Sequence, residues 1–301
     1  MPSAGRGSAN AICAASMLIW AVGFPIGDQM LQQFAPLPLT ALRMSLAAAF
    51  LVPIWVLAEG WRNVRRIDWP RALFIGGIGF GLGSFLLTFA QNRTDGVTVS
   101  VVAAAMPVAG IALECLFDGR RLSLRLVAGL CLGLIGGTVA YMSGLGSMQI
   151  GLGAVAALVS LTLFCWGSRA TVLGLRGHSP LGQTAATFVG AAAVTAFAVV
   201  AQGDLAATTR AIAALDADRV VLLATYGIAT IGLSQLLWIV SVSRIGVGAA
   251  SMHINAAPFY VMLIVWSLGG VWSWAHAAGA LIVLTGVLLI QPPARILARS
   301  G

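Results

Sequence analysis

The chain has 301 residues, 59% of them hydrophobic and 9% charged, and a mean hydropathy of +0.95. A soluble domain of this size carries about 25% charged residues, so the composition excludes a soluble globular protein and points to a membrane. The formal charge of +8 does not imply nucleic acid, because the basic residues are arginines scattered along short loops with no basic stripe.

A helix needs about 20 mostly apolar residues to cross the hydrocarbon core. About ten stretches meet that length: 9–29, 38–58, 71–91, 96–117, 123–142, 150–172, 181–202, 220–242, 247–268 and 274–291. We number them helices 1 to 10. Helix 1 follows Arg6, as a signal peptide would, but it is long enough to span and similar runs follow it. It carries Trp20 at mid-depth with Phe24 one turn on, both suited to line a cavity. Helix 2 holds Arg43 about five residues inside its start, where the long side chain is expected to snorkel outward. Trp55, Trp61, Trp69, Trp266, Trp272 and Trp274 fall near span ends and read as an interfacial belt.

Helix 3 presents Phe80, Ser84 and Gln91 on one broad face, and helix 4 has Pro107 in mid-span. The connection 203–219 is short, so no separate soluble domain is expected. Helix 8 offers Gln235 and Trp238 at i,i+3, flanked by Ser234 and Ser241.

Helix 9 contains SMHINAAPFY, which puts His253, Asn255 and Pro258 inside an apolar run and Tyr260 just beyond. A proline there lacks an N–H and clashes with the carbonyl four residues back, so the Ile254 carbonyl is expected to be left free. His253 and Asn255 lie about 200° apart on an ideal helix and cannot both face one cavity. Intramembrane polar residues are functional candidates by default. Cys13, Cys115, Cys131 and Cys165 lie in apolar runs without a C-x-x-C pair and read as inert thiols.

Twelve loop arginines, Arg62, Arg65, Arg66 and Arg71 among them, fall on one side of this topology, and only Arg93, Arg210 and Arg219 on the other. The excess places both termini in the cytoplasm. Arg93, Ser100 and Pro107 recur as Arg244, Ser251 and Pro258, and Gly76 and Gly81 recur as Gly227 and Gly232, all 151 positions on. Gly129 and Gly136 recur as Gly279 and Gly286 after a one-residue slip. Collinear recurrence argues for a duplication into 1–147 and 148–301. Five helices per repeat is an odd number, so the second repeat is inserted upside down, as in many transporters. The fold class is therefore an all-α membrane protein of two inverted five-helix repeats around a central cavity.

LIWAVGFPIG in helix 1, PLTALRMSLAAAF in helix 2, VVAAAMPVAGIALECLF in helix 4, RRLSLRLVAGLCLGLIGG in helix 5, ASMHINAAPFYVMLIVW in helix 9 and HAAGALIVLTGVLLI in helix 10 resemble the EamA-type ten-helix exporters of the drug/metabolite transporter superfamily. Within it the chain is most similar to the bacterial amino-acid exporters, the aromatic amino-acid exporters among them. The resemblance implies a basket of helices around a central cavity lined mainly by helices 1, 3, 4, 6, 8 and 9, with alternating access. Where the family often has Gly-Glu after helices 4 and 9, this chain has Gly119-Arg120 and Gly269-Gly270.

These readings converge on a multi-pass protein of a bacterial inner membrane, acting as a monomer. It is expected to export small metabolites, with apolar or aromatic amino acids first. Multidrug export of lipophilic or quaternary cations is the alternative, weakened because no mid-depth acid is found. The substrate residues are expected among Trp20, Phe24, Phe80, Ser84, Gln235, Trp238, His253, Asn255 and Tyr260, with Pro107 and Pro258 as gating breaks. No nucleophile–base pair, H-E-x-x-H, G-x-S-x-G or Walker loop occurs, so no enzyme, cofactor, metal or nucleic-acid partner is expected. With no mid-depth carboxylate, either His253 titrates or transport runs downhill.

Overall fold

The computed structural model describes residues 3–117 and 150–290, together with positions 124, 128, 131, 132 and 135. Among them the chain is helical throughout, with no strand. Seven helices are long and apolar enough to cross a membrane: Gly7–Met30, Pro36–Glu59, Trp69–Arg93, Gly96–Phe117, Leu152–Gly174, Pro180–Ala201 and Ala217–Ile245. They are helices 1 to 4 and 6 to 8. Helix 9 runs over 247–267 in three pieces, and helix 10 is Trp274–Ile290. Most of helix 5 lies outside the described residues, as do Gly129, Gly136, Gly119-Arg120 and the last loop arginines.

Local chemistry starts the helices where the apolar runs begin. Pro36 and Pro180 occupy first-turn positions, where a missing N–H costs nothing. Asp68, Asp95, Ser179 and Asp216 cap helices 3, 4, 7 and 8, each accepting the backbone N–H three residues on. Without such caps, the orphan N–H groups at those ends would face a poorly hydrated boundary.

Two helices widen in mid-course. Gly76–Leu82 of helix 3 and Tyr226–Leu233 of helix 8 are π-helical, and the glycine pairs 151 positions apart sit in them. Each glycine pair marks a close crossing. A Cβ on Gly76 would lie 1.8 Å from the Thr187 carbonyl oxygen, and one on Gly81 3.2 Å from Ala191 Cα. A Cβ on Gly227 would lie 3.1 Å from the Arg43 carbonyl oxygen, and one on Gly232 3.4 Å from Ala47 Cβ. Arg43 and Thr187, like Ala47 and Ala191, are 144 positions apart. Helix 3 thus packs on helix 7 as helix 8 packs on helix 2.

The breaks at the prolines differ from the sequence expectation. Helix 4 stops at Ala103 and restarts at Met106; helix 9 tightens into a 3₁₀ turn over Met252–Ala256 and restarts at Ala257. The two restarts are again 151 positions apart. Pro107 and Pro258 are second residues of the new helices, not interior kinks. The Ile254 carbonyl is not free: Ala257 N–H donates to it, because the 3₁₀ turn bonds one residue closer than an α-helix does.

Candidate functional site

A cavity with about 670 Å³ of atom-free space, counting the part open to solvent, lies between the helices. Helix 1 contributes Ser16, Met17 and Trp20; helix 6 contributes Ser160, Leu161 and Phe164, each 144 positions later. Helix 3 contributes Phe80, Gly83, Ser84 and Leu87; helix 8 contributes Ile231, Ser234, Gln235 and Trp238, each 151 positions later. Met106 and Ile254 come from the breaks in helices 4 and 9. The last two lining residues, Arg43 and Phe188, come from helices 2 and 7, which the family resemblance had not placed there.

One wall is aromatic. Phe80 stacks on Phe188 at 5.9 Å between ring centroids and meets Phe164 edge-on at 5.6 Å, and Phe164 lies 5.9 Å from Trp238. Trp238 is 1% exposed, and its Nε1 donates to Ser168 Oγ at 2.9 Å, which fixes the indole. Such rings give a large apolar contact surface with defined orientation.

The serines hold helices together. Ser16 Oγ donates to the Ser234 carbonyl, and Ser160 Oγ to the Gly83 carbonyl, both at 2.7 Å. These two bonds join the same pair of positions in each half. Their donors are therefore spent on backbone, and their lone pairs remain.

Arg43 is the charged member of the lining, and it does not snorkel. It is 4% exposed; Nη1 donates to Tyr226 Oη at 2.5 Å, Nη2 donates to the Ser84 carbonyl at 3.0 Å, and the guanidinium lies 5.1 Å from the Tyr226 ring centroid. These inward partners exist because helix 2 crosses helix 8 at Gly227, which brings the neighbouring Tyr226 beside it. Arg43 Nε has no partner among the described residues. Gln235, 5% exposed, likewise leaves Nε2 without one.

Trp20, Leu87, Arg43 and Ile231 also border a smaller cavity of about 220 Å³, again counting the part open to solvent, with Gly23, Phe24, Gln91, Tyr226 and Thr230. Trp20 and Phe24 pack edge-on at 4.7 Å. Beyond it, Gln91 Nε2 donates to the Phe24 carbonyl at 2.8 Å and to Asp28 Oδ1 at 2.9 Å. Asp28 Oδ2 accepts the Gly96 N–H at 3.0 Å. The carboxylate ties the start of helix 4 to helix 1 rather than facing the central cavity.

The structure therefore brings Trp20, Phe80, Ser84, Gln235 and Trp238 together around one space and puts Phe24 in the next. His253, Asn255 and Tyr260 line neither. A 3₁₀ turn advances 120° per residue, so with Ile254 facing the cavity its two neighbours point to either side. His253 Nδ1 and Asn255 Oδ1 are buried there without partners among the described residues. Trp55 is not part of an interfacial belt: it is fully buried against Gly182, with Nε1 donating to Glu59 at 3.2 Å. Trp61, Trp266 and Trp274 are exposed. Ser16, Ser160, Phe164, Phe188 and Tyr226 are lining residues that the sequence reading does not single out; for Ser16, Ser160 and Phe164 the 144-position recurrence between helices 1 and 6 is the available signal.

Residues 7–142 match the EamA-like transporter family. The match points to a membrane transporter of small molecules, and the apolar helices make the chain a multi-pass membrane protein. The EamA match covers the first half. No curated protein matches the chain significantly. A solved structure titled only "Crystal structure of protein" is similar over 97% of this chain and 99% of its own, at 22% identity and a TM-score of 0.70. At that identity the likeness concerns the fold.

Proposed function

We propose that the protein is an EamA-type secondary transporter of a bacterial inner membrane, exporting small metabolites by alternating access at the central cavity. Apolar and aromatic amino acids are the first substrates to consider. The observation that carries this reading is a cavity with an aromatic wall, lined also by Arg43 and Gln235, whose buried Nε and Nε2 have no partner among the described residues. Rings suit the side chain of such a substrate, and the donors suit its charged end. Trp20, Phe24, Phe80, Ser84, Gln235 and Trp238 are then substrate residues.

The architecture behind it is two five-helix repeats, 1–147 and 148–301, inserted in opposite senses, with a monomer sufficient for transport. The paired crossings, paired breaks and paired lining positions support that reading. The arginine excess supports cytoplasmic termini. Pro107 and Pro258 mark the gating breaks. Relaxing the five-residue 3₁₀ turn to an α-helix would remove about 20° per residue, roughly 100° in all, and that rotation would carry His253, Asn255 or Tyr260 toward the cavity in another state.

Cation export is the weaker reading, because an arginine and no carboxylate lines the cavity among the described residues. Cells making the protein, challenged with toxic concentrations of single amino acids, should survive by measurable efflux of the unchanged compound. Equal tolerance with and without the protein across the panel would defeat the amino-acid assignment, and a chemically altered product would defeat the transporter reading.

A further inference from the structure

Arg43 is the one charged side chain among the described residues lining the central cavity, and both of its hydrogen-bond partners are neutral. A guanidinium buried to 4% exposure with no carboxylate paired to it among the described residues is costly unless something completes it; Asp28, beyond Tyr226, is engaged by Gln91 and the Gly96 N–H. Among the described residues the Arg43 Nε has no partner, and from helix 8 the Gln235 amide, 5% exposed, also leaves Nε2 without one; both residues line the same cavity. Two buried donors, one of them cationic, call for an acceptor with two oxygens and a negative charge. A carboxylate is that group. The rest of the lining offers nothing comparable to a cation: the lone pairs of Ser16 and Ser160 are available, but no acid is.

We infer that Arg43 and Gln235 form a carboxylate-binding subsite, and that the substrate is recognised as a monocarboxylate with an apolar or aromatic body, the amino group being dispensable. This rests on the transporter reading and narrows it. Tyr226 and the Ser84 carbonyl hold the guanidinium in place, and the Phe80, Phe164 and Trp238 rings receive the body of the substrate. A cationic ligand would meet Arg43 with no acid to offset the repulsion.

The test uses the full chain, purified in detergent for binding and in liposomes for flux. The probes are phenylalanine, its des-amino analogue 3-phenylpropionate, phenylalaninamide and tetraphenylphosphonium. Phenylalanine and 3-phenylpropionate should bind within about tenfold of each other, and the amide at least about tenfold more weakly than either. Arg43→Gln and Gln235→Leu should each weaken both carboxylates at least about tenfold. Gln235→Glu should do so too, by supplying its own carboxylate to Arg43. Arg43→Lys should keep the preference for acid over amide at reduced affinity.

Where Arg43→Gln does not fold, Gln235→Leu, which removes no charge, carries the test. Carboxylate affinity unchanged in the Gln and Leu variants, or an amide bound as tightly as its acid, overturns the subsite. Saturable phenylalanine flux in the same liposomes would then leave the export reading standing. Binding of tetraphenylphosphonium in place of every carboxylate overturns both.

Discussion

Replacing Gly76 by alanine tests the crossing on which the cavity geometry depends. The new Cβ would stand 1.8 Å from the Thr187 carbonyl oxygen, 2.6 Å from its carbon and 2.9 Å from its Cα. Ordinary contact begins at 3.4 Å, so helices 3 and 7 must part by more than an ångström. The obstacle is backbone and has no rotamer to escape into. Overpacking of this kind costs about 3 kcal/mol, and exchanging a helical glycine for alanine returns about 1, leaving a net loss of about 2 kcal/mol. Gly232→Ala is the matched control: its Cβ would meet Ala47 Cβ at 3.4 Å, an ordinary contact. It should be neutral or about 1 kcal/mol stabilising. In thermal unfolding of the purified variants in one detergent, Gly76→Ala should melt about 3 °C below the parent and Gly232→Ala at or above it. Flux should fall in the first as well, since Phe80, one turn on from Gly76, would be drawn off Phe188. Equal melting of both variants would refute the crossing as described.

Trp238→Phe removes the bond to Ser168 and should lower flux with membrane abundance unchanged; its stability cost of about 1 kcal/mol should be shared with Ser168→Ala, so that the double variant costs little more than either single one. Asp28→Ala strips acceptors from Gln91 and the Gly96 N–H and should destabilise by about 2 kcal/mol, read as reduced abundance and melting temperature, with Asp28→Asn milder. Pro258→Ala sits in a first turn, where the N–H that proline lacks is not needed, so stability should change by less than about 1 kcal/mol while the exchange rate in liposomes changes. An unchanged rate would remove Pro258 from gating. His253→Ala should lower transport at constant abundance; undiminished flux would place His253 outside the transport cycle.

Much of the scaffold was legible because lipid demands long apolar runs, and caps such as Asp95 and Ser179 stand at their edges. What was not legible is which side of each helix faces inward. In water a helix announces its buried face by contrast, whereas here lipid and neighbouring helix are equally apolar. Mid-span polar and aromatic residues are the guide that remains, and the polar ones mislead where helix 9 departs from α-geometry. In SMHINAAPFY the 3₁₀ turn gives the cavity Ile254 and turns the more conspicuous His253 aside. Distance from the helix end suggests that Arg43 snorkels, but its direction is set by the crossing of helices 2 and 8 at Gly227, which brings Tyr226 beside it.

The paired positions also separate scaffold from chemistry. Ser16 and Ser160 are the same residue making the same bond, and they maintain the framework. Ser84 answers to Gln235, Leu87 to Trp238 and Phe80 to Ile231: these positions recur, but the residues do not. Arg43 answers to Thr187, whose hydroxyl donates to its own helix at the Gln183 carbonyl, 2.8 Å away. A cavity built by near-symmetric helices thus takes its cation, Arg43, from the first half of the sequence and most of its indole–phenyl wall, Phe164, Phe188 and Trp238, from the second. A substrate with a charged end and an apolar end can be oriented by that polarity, whereas a symmetric lining could not tell its two ends apart.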